Sequence, residues 1–486
     1  MATPIPSNQA RFRSGELAAA ASGTLMRGGG DVAIVGVVSD SRAVVPGNAF
    51  VALPGESVDG HAFLGAALVR GAVAVVIRRG SPAPSGATAV IEVDDTLRAF
   101  GSIARAHVQQ WRRGADGAQR RVVGITGSAG KTTTKDLLAC ILRSVSSCHA
   151  TTGNLNNRIG VPAVALGLRG ESFAVFELGT SLPGEIAALA GVVEPDVAVL
   201  LNVGVAHAAG FGGEIAAVGR EKGAIFEAVA AGGAAVVNAD DEIALGQLGR
   251  TRARPVRFGV SETADVRVRR RELVGRGSRV TIDRRGTSFD VSLPVAGAPA
   301  ALALAAAIAA ADATLGREVA ADVIAASVSA WQPSGGRAVT IELEGGVLAI
   351  DDSYNANPAS MRAAFSTLSE LRGTRRGRAI AVLGEMRELG PIAEAEHEQL
   401  GVELARLGVD LVVGCGGAIH LTLERAARGG VAVRHASSAI DAGAFVAGEA
   451  REGDVVLFKG SRAAGVEQAL AALVARRPVV AARGAG

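Results

Sequence analysis

Short apolar runs and longer alanine-rich stretches alternate along most of the chain. The runs have the length of β-strands, and the stretches between them have the length and composition of helices. This order predicts an α/β protein in which crossover helices connect parallel strands. The apolar runs that we predict as strands lie at residues 174–178, 197–202, 234–238, 347–351, 379–383, 411–413 and 455–458.

Two polar, glycine-containing segments, 111–121 and 331–337, interrupt this order and predict linkers between domains. The chain has 486 residues, which is too long for one hydrophobic core. We therefore predict three α/β domains: a small one at 1–113, a middle one with a parallel sheet at 114–333, and a doubly wound, Rossmann-like one at 334–486.

The segment VVGITGSAGKTTTKDLL, residues 122–138, joins an apolar strand to a helix through a glycine-rich turn. Gly127 and Gly130 allow successive N–H groups to point at an anion on the helix N-terminus. Lys131 would reach the terminal phosphates, and the hydroxyl of Thr132 would bind Mg²⁺. The general phosphate-loop pattern has one more glycine where this chain has isoleucine, so a glycine turn that binds no phosphate is the alternative. The predicted ATP or GTP contacts are Gly127, Ser128, Ala129, Gly130, Lys131, Thr132 and Thr133.

The composition predicts a soluble globular protein and excludes disordered and fibrous classes. The chain is 49% hydrophobic and 20% charged, with 64 glycines and a formal net charge of +3. Arg375, Arg376 and Arg378 form a short cluster that we interpret as solvated loop ends, because no stacking aromatic residues are interleaved with them. We therefore expect no nucleic-acid partner.

The cysteines predict a reducing compartment. Cys140, Cys148 and Cys415 are odd in number and lack metal-ligand spacing, so we expect packing residues with free thiols. The N-terminus has no signal-peptide pattern, which predicts a cytoplasmic protein. The longest uncharged apolar run, 295–311, is mostly alanine and contains a proline, which favours a buried helix over a membrane span.

Several motifs in the middle of the chain resemble the Mur ligase family. They are GITGSAGKTT, TTGNLNNRIGVP, FELGTSLPGEI, NVGVAHAAGFG and REKGAIF, in that order. DDSYNANPASM, LGEMRELG and GDVVLFKGSRAAGVE resemble the ligases of this family that add D-alanyl-D-alanine to UDP-N-acetylmuramoyl-tripeptide. SDSRAVVPGNAFVALPGESVDGHAF, residues 39–63, resembles their UDP-sugar-binding domain, so the likeness covers nearly the whole chain.

This resemblance implies an ATP-dependent carbon–nitrogen ligase of peptidoglycan synthesis. A monomer is the default expectation, because no long apolar heptad pattern or exposed aromatic patch indicates a dimer. The small first domain would bind the UDP-linked substrate and the middle domain ATP, and ATP would draw the third domain toward the middle one. A substrate carboxylate would attack the γ-phosphate, and the amine of D-Ala-D-Ala would displace phosphate from the acyl phosphate. The alternatives are a catalytically impaired relative that binds UDP-linked precursors and the Mur ligase that adds the third amino acid. The sequence leaves open whether that third residue is diaminopimelate or lysine.

The resemblance also implies a catalytic centre with two Mg²⁺ ions. Glu177 follows an apolar strand, which places its carboxylate at the edge of the sheet where ligands bind. The implied catalytic residues are Lys131, Glu177, His207 and Lys222, and the implied metal ligands are Thr132, Glu177, His207 and Lys222. Without the flanking motifs, His207 would be read as a structural histidine and Lys222 as part of a solvated face. The resemblance implies that Lys222 is carbamylated.

Further candidates for substrate binding come from each domain. Arg337 resembles an ATP-contacting arginine, and Asp351 ends a strand where it suits ribose. Three asparagines, at positions 154, 156 and 157, lie next to glycines, which suits either a tight turn or a substrate loop. The residues that we predict to bind substrate are Ser41, Arg42, Asp59, Asn154, Asn157, Asp352, Asn355, Lys459 and Arg462.

One segment departs from the family pattern. The family carries Gly-Arg-His-Asn and a second asparagine at the start of an alanine-rich helix, where this chain has VAGAPAALALAAA. Ala298, Pro299 and Leu302 stand in place of the His and the two Asn that would recognise adenine. Other groups substitute for them, ATP binds more weakly, or the ungapped alignment fails locally.

Overall fold

The structure is a computed structural model that describes residue 3 and residues 5–55, 58–114, 119–205 and 208–480. It has four β-sheets of two, five, nine and six strands. The five-, nine- and six-stranded sheets follow one another along the chain, each with its own helices. This arrangement confirms the predicted α/β class and the three-domain layout.

The first domain contains the two-stranded sheet and the five-stranded sheet. The two-stranded sheet pairs β1 with β3, and the larger sheet has the order β2-β7-β6-β5-β4, in which only the β2–β7 pair is antiparallel. The strands are β1 Arg11–Arg13, β2 Thr24–Arg27, β3 Ala33–Val35, β4 Val37–Val38, β5 Ala49–Val51, β6 Ala74–Arg78 and β7 Ala89–Val93, and the helices are α1 Ser14–Ala20, α2 Leu64–Val69 and α3 Thr96–Arg112.

The middle domain is built on the nine-stranded sheet, of order β16-β15-β14-β13-β12-β11-β8-β10-β9. Strands β8 to β13 are parallel to one another, β14 runs parallel to β13, and β14, β15 and β16 form an antiparallel meander at one edge. The strands are β8 Arg121–Thr126, β9 Cys148–Ala150, β10 Phe173–Glu177, β11 Val197–Leu200, β12 Ala234–Asn238, β13 Arg254–Gly259, β14 Val266–Val274, β15 Gly277–Arg284 and β16 Thr287–Leu293. The helices are α4 Lys131–Arg143, α5 Gly160–Ala165, α6 Glu185–Val193, α7 Ile215–Gly223, α8 Glu242–Gly246, α9 Ala298–Leu315 and α10 Ala321–Ser329.

The third domain is doubly wound, as predicted. Its sheet has the order β17-β18-β22-β19-β20-β21, parallel except for β17 at the edge, with a separate hydrophobic cluster on each face. The strands are β17 Val339–Leu343, β18 Val347–Asp351, β19 Ala379–Gly384, β20 Leu411–Cys415, β21 Ala432–Ala436 and β22 Val455–Lys459, and the helices are α11 Pro358–Gly373, α12 Ala393–Arg406, α13 Ile419–Arg428, α14 Ala439–Glu449 and α15 Glu467–Arg476.

The apolar run at 295–311 forms α9, a core helix of the middle domain. Among the described residues this helix alone has the length and hydropathy of a membrane span, and 61% of its residues are buried inside the protein. It packs against α4 and the sheet, with Pro299 in its first turn, where proline is tolerated. The buried-helix prediction is therefore confirmed.

The first predicted linker is wrong at both ends. Helix α3 continues through Arg112, and Trp111 is only 4% exposed because it lies on the buried face of that helix. At the other end, Arg121 already belongs to β8. The side chains of Ile103, Val108 and Trp111 join one hydrophobic cluster with α5 and α6 of the middle domain.

The arginine cluster is solvated only at Arg376, which is exposed as predicted, whereas Arg375 and Arg378 are half-buried. Arg375 forms an ion pair with Glu342 at 2.8 Å, and Arg378 forms one with the buried Asp454 at 2.8 Å. The hydrogen bonds from Arg378 hold the pKa of Asp454 below its ordinary value although burial alone would raise it. These arginines therefore hold turns of the third domain in place.

Candidate active site

The phosphate loop lies at the carboxyl edge of the middle sheet, between the end of β8 at Thr126 and the start of α4 at Lys131. Gly130 forms the N-cap of α4 with φ +84°, a conformation that residues with a side chain rarely adopt. The first N–H groups of α4 have no acceptor within the helix and are available to an anion. All seven predicted nucleotide contacts lie in this loop or in the first turn of α4: Gly127, Ser128, Ala129, Gly130, Lys131, Thr132 and Thr133.

The carboxylate of Glu177 lies beside this loop. Glu177 ends β10, which pairs with β8, and its residue is 2% exposed. Thr132 Oγ1 donates to Glu177 Oε2 at 2.7 Å, and Asn156 Nδ2 donates to Oε1 at 2.8 Å. A hydroxyl and a carboxylate at this spacing are oxygen donors of the kind that Mg²⁺ prefers. The structure thus brings together two of the predicted metal ligands and adds Asn156.

Two lysines place positive charge at the same site. Lys131 Nζ donates to the carbonyl of Gly127 at 2.7 Å. Desolvation lowers the pKa of Lys131; the negative charge of Glu177 raises this pKa, and the positive charge of Arg337 lowers it further. Lys222 of α7 is 1% exposed, and burial together with the charge of Lys131 lowers its pKa to about 7. The charge of Lys131 therefore acts on Lys222 and disfavours the protonated form of its amine.

His207, predicted as a magnesium ligand, lies outside the described residues. Within the described ranges, no three His, Cys, Asp or Glu side chains gather as a metal site. Thr132 and Glu177 are the predicted ligands whose oxygen atoms the structure brings into contact.

A cluster around Tyr354 faces the phosphate loop from the third domain. The guanidinium carbons of Arg337 and Arg462 lie 4.2 and 5.7 Å from the centre of its ring. Ala338, next to Arg337, has φ +56°, which is strained for a residue with a side chain. Burial raises the pKa of Tyr354, and the nearby charge of Glu177 raises it further. These groups therefore approach the carboxylate beside Thr132.

Lys459 is already engaged within the third domain. Its residue is 1% exposed, and Nζ lies 2.6 Å from Asp352 Oδ2 and 3.0 Å from the carbonyl of Asn355, to which it donates. The carboxylate of Asp351 accepts the N–H of Gly336 at 2.8 Å. The structure thus places Lys459 as the support of the loop that follows β18, and substrate binding by Lys459, Asp352 and Asn355 stays a prediction.

The predicted UDP-binding residues lie in two capped turns of the first domain. Ser41 begins a 3₁₀ turn in which Asp40 accepts the N–H of Arg42 and pairs with its guanidinium at 2.8 Å. Asp59 caps a second turn and accepts the N–H of His61 at 3.0 Å. These donors lower the pKa of both carboxyl groups, mainly through the Arg42 side chain for Asp40 and the His61 backbone for Asp59. Arg42 remains exposed and available to a phosphate.

The three asparagines of the loop at residues 154–157 form hydrogen bonds with different partners. Asn154 accepts a hydrogen bond from Thr3 Oγ1 at 2.7 Å, and Asn157 accepts the N–H of Gly160 at 2.8 Å and so caps α5. Both are exposed, and Asn156 is the one that contacts Glu177. Substrate binding by Asn154 and Asn157 stays a prediction.

The start of α9 has an apolar surface where the family would have imidazole and amide groups. Ala298 and Leu302 line a cavity of about 280 Å³ together with Val268 and several arginines of β14, including Arg267 and Arg269. Pro299 lies in the first turn of the same helix. The first five residues of this helix thus carry no imidazole or side-chain amide, and the comparison with the family pattern at this position stays a prediction.

Sequence reasoning missed two asparagines. Asn156 was named only as one of three asparagines suited to a tight turn or a substrate loop, and Asn202 was given no role beyond the end of a predicted strand. Asn202 Oδ1 accepts the N–H of Ala129 at 2.9 Å, and Nδ2 donates to the carbonyl of Ala129 at 3.1 Å. The only sequence signal is that Asn202 follows an apolar run, which many loop residues share.

Three family models match the chain: "Mur ligase family, catalytic domain" at residues 33–108, "Mur ligase middle domain" at 125–311, and "Mur ligase, glutamate ligase domain" at 336–462. The chain belongs to the Mur ligase family. Among curated Mur ligases, it is similar to the UDP-N-acetylmuramoyl-tripeptide--D-alanyl-D-alanine ligase of Escherichia coli, at 35% identity over 92% of this chain and 95% of the relative. The ligase of that name from Mycobacterium tuberculosis is 36% identical over 90% of this chain and 91% of the relative.

Solved Mur ligase structures agree with these relatives. A crystal structure of MurF from Acinetobacter baumannii matches with a TM-score of 0.85 and 31% identity, over 96% of this chain and all of that one. MurF of Thermotoga maritima in complex with ADP matches with a TM-score of 0.79 and 29% identity, over 90% and 97%. The protein therefore has the fold and the domain order of a Mur ligase along nearly its whole length.

The contact between Asn156 and Glu177 predicts a pH-dependent effect of a single substitution. Asn156→Asp would place a second carboxylate beside Glu177, and a proton shared between the two groups would compete with the metal ion at low pH. We expect the affinity of this variant for Mg²⁺·ADP, measured by calorimetry, to rise by about tenfold relative to wild type as the pH rises from about 6 to 8, because loss of the shared proton frees both carboxylates. An equal pH dependence in both proteins would contradict the contact.

Proposed function

We propose that the protein is the ATP-dependent ligase that joins D-alanyl-D-alanine to UDP-N-acetylmuramoyl-tripeptide in peptidoglycan synthesis. The observation that carries this proposal is the pairing of Thr132 and Glu177 beside a phosphate loop, with Lys131 and Lys222 close by. The relatives that match most of the chain carry this activity in their names.

The chemistry requires two anions to meet. A carboxylate oxygen of the tripeptide bonds to the γ-phosphorus while the bond to ADP breaks and ADP leaves with its electron pair. The amine of D-Ala-D-Ala then bonds to the acyl carbon, inorganic phosphate leaves, and the amine loses a proton. Lys131 and the first N–H groups of α4 would hold the phosphates during the first step and reduce the repulsion between the anions.

The residues present fit a magnesium ion at Thr132 and Glu177. Both supply oxygen, and both are buried at the sheet edge beside the phosphate loop. When bound there, Mg²⁺ would neutralise part of the phosphate charge. Asn156 would keep the second oxygen of Glu177 occupied, so that Oε2 stays directed at Thr132. We assign His207 to a second ion on the resemblance alone.

We propose a ligand for each of the other predicted binding residues. Arg337 and Asp351 would contact ATP from the third domain, Ser41, Arg42 and Asp59 would bind the UDP group, and Asn154, Asn157, Asp352, Asn355, Lys459 and Arg462 would contact the peptide substrates. We place the domain boundaries at residues 113/114 and 333/334 and propose a cytoplasmic monomer. The free thiols of Cys140, Cys148 and Cys415 support a reducing compartment.

The ligase assay tests the function directly. With UDP-N-acetylmuramoyl-tripeptide and ATP present, we expect phosphate release only when D-Ala-D-Ala is added, together with a product whose mass increases by the dipeptide less one water. Binding of the UDP precursor without phosphate release would instead favour a catalytically impaired protein. Release that requires UDP-N-acetylmuramoyl-dipeptide and a single amino acid, in place of the tripeptide and D-Ala-D-Ala, would favour the ligase for the third residue.

Carbamylation of Lys222 is chemically supported by its environment. A pKa near 7 leaves much of the amine neutral, and only the neutral amine can bond to CO₂ and lose a proton to give the carbamate. The product would replace a buried cation beside Lys131 with an oxygen ligand for a metal ion. The neutral fraction rises as the pH rises through about 7, so the carbamate would form on the alkaline side.

Lys222→Ala should therefore lose ligase activity by about a hundredfold or more, and added bicarbonate should not restore it. Arg220→Ala is the matched control, because Arg220 lies on the same helix with its side chain 65% exposed. Full activity of Lys222→Ala in the phosphate-release assay would remove Lys222 from the site.

The apolar start of α9 predicts weak selectivity for the base. Ala298, Pro299 and Leu302 offer no side-chain hydrogen bonds to the edge of adenine, so base binding would depend on apolar contacts, which distinguish purines poorly. We expect kcat/KM for GTP to lie within about tenfold of that for ATP in the same assay. Turnover with ATP and none with GTP would mean that other residues read the base.

A further inference from the structure

The segment that follows β11 lies directly against the phosphate loop. Asn202 makes three hydrogen bonds to it: Oδ1 accepts the N–H of Ala129 at 2.9 Å, Nδ2 donates to the carbonyl of Ala129 at 3.1 Å, and its own carbonyl accepts the N–H of Ser128 at 3.1 Å. Gly204 extends this contact, because its N–H donates to Ser128 Oγ at 2.8 Å. Both polar backbone groups of Ala129 are thus engaged by one side chain.

This segment is itself fixed from the far side. The N–H of Val203 donates to Asp241 Oδ2 at 2.7 Å, and Asp241 also caps α8. The carbonyl of Leu201 accepts a hydrogen bond from Asn238 Nδ2 at 3.1 Å. Asn202 is therefore a rigid support for the loop, because its own backbone neighbours are held by β12 and α8.

The hydrogen bond from Ala129 to Asn202 determines which N–H groups of the loop are available to a phosphate. Since Asn202 occupies the N–H of Ala129, the donors that remain for a phosphate are those of Gly130, Lys131 and Thr132 at the start of α4. The fixed peptide of Ala129 sets the direction of the following peptide, in which Gly130 has φ +84°. The orientation of these three N–H groups thus depends on a side chain 73 residues along the chain.

We propose that Asn202 is a positioning residue for phosphate binding, which acts by holding the peptide of Ala129 and itself makes no contact with the nucleotide. In the nucleotide complex the N–H group of Ala129 would keep its hydrogen bond to Asn202 Oδ1 and would not donate to a phosphate. The proposal rests on the proposed function only in that the loop must bind a nucleotide.

The test compares two asparagines whose side-chain amides bond to backbone groups in different domains. Asn202→Ala removes the support of the loop, and Asn48→Ala removes an amide of the first domain that is 3% exposed, accepts the N–H of Val45 and donates to the carbonyl of Val35. Affinity for Mg²⁺·ADP and for the UDP precursor is measured by calorimetry, and KM for ATP and kcat are measured in the ligase assay. Thermal unfolding shows how far each variant is destabilised.

We expect Asn202→Ala to weaken Mg²⁺·ADP binding and raise KM for ATP by about tenfold, with affinity for the UDP precursor unchanged. Asn48→Ala should lose thermal stability and keep the nucleotide affinity of wild type, because Asn48 lies in the first domain and does not contact the loop. Equal nucleotide affinity in Asn202→Ala and wild type, or equal losses in both variants, would overturn the proposal. Wild-type protein that fails to bind Mg²⁺·ADP would instead count against the proposed function.

Hydrogen exchange of the wild-type protein gives a second test that needs no variant. Resolved to single amides, the N–H of Ala129 should exchange slowly without nucleotide and gain no further protection when Mg²⁺·ADP is added. The N–H groups of Gly130, Lys131 and Thr132 should gain protection. Fast exchange at Ala129 that slows on adding Mg²⁺·ADP would show that this N–H binds phosphate and would overturn the proposal.

Discussion

The active site depends on the pairing of β8 between β10 and β11. In the register of these strands, Glu177 lies opposite Ile125 and Leu200 opposite Thr126, so all three strands end together at one edge of the sheet. The phosphate loop therefore has a carboxylate on one side and the Asn202 segment on the other. A change of register by one residue would turn these side chains to the wrong face of the sheet.

The third domain adds cations to this edge through a short strained segment. Arg337 lies between Gly336 and Ala338, which both have positive φ, and it packs on the ring of Tyr354. The buried pair of Lys459 and Asp352 fixes the loop that carries this tyrosine. The position of Arg337 thus follows from contacts inside the third domain, and the domain can approach the phosphate loop with its cationic group already oriented.

The sequence predicted those parts of the site that depend on local patterns. A strand, a glycine turn and a helix in series are sufficient to place Lys131 and Thr132, and the end of an apolar strand places Glu177. Asn156 and Asn202 could not be assigned, because their partners are 21 and 73 residues away and become neighbours only through the strand order. The antiparallel meander at 266–293 was also missed, since its arginine-rich strands have one polar face and lack a continuous apolar run.

The contact of Lys459 depends on the strand order in the same way. The adjacent pairing of β18 and β22 places Lys459 against Asp352, 107 residues earlier, a contact that its motif does not indicate. The first predicted linker was inaccurate for a related reason, because the polar residues after Trp111 hid the buried helical face on which Trp111 lies. The second, 331–337, lies between α10 and β17 outside any helix or strand, as predicted.

The hydrophobic cluster that joins α3 to α5 and α6 makes the first two domains a single folding unit. Its side chains come from both sheets, so neither domain can unfold without exposing apolar surface of the other. The third domain has one cluster on each face of its sheet, and one of the two takes in Ala296 and Leu273 of the middle domain. In terms of cooperativity, the protein therefore consists of a large body that holds the phosphate loop and a smaller body that is joined to it through few apolar side chains.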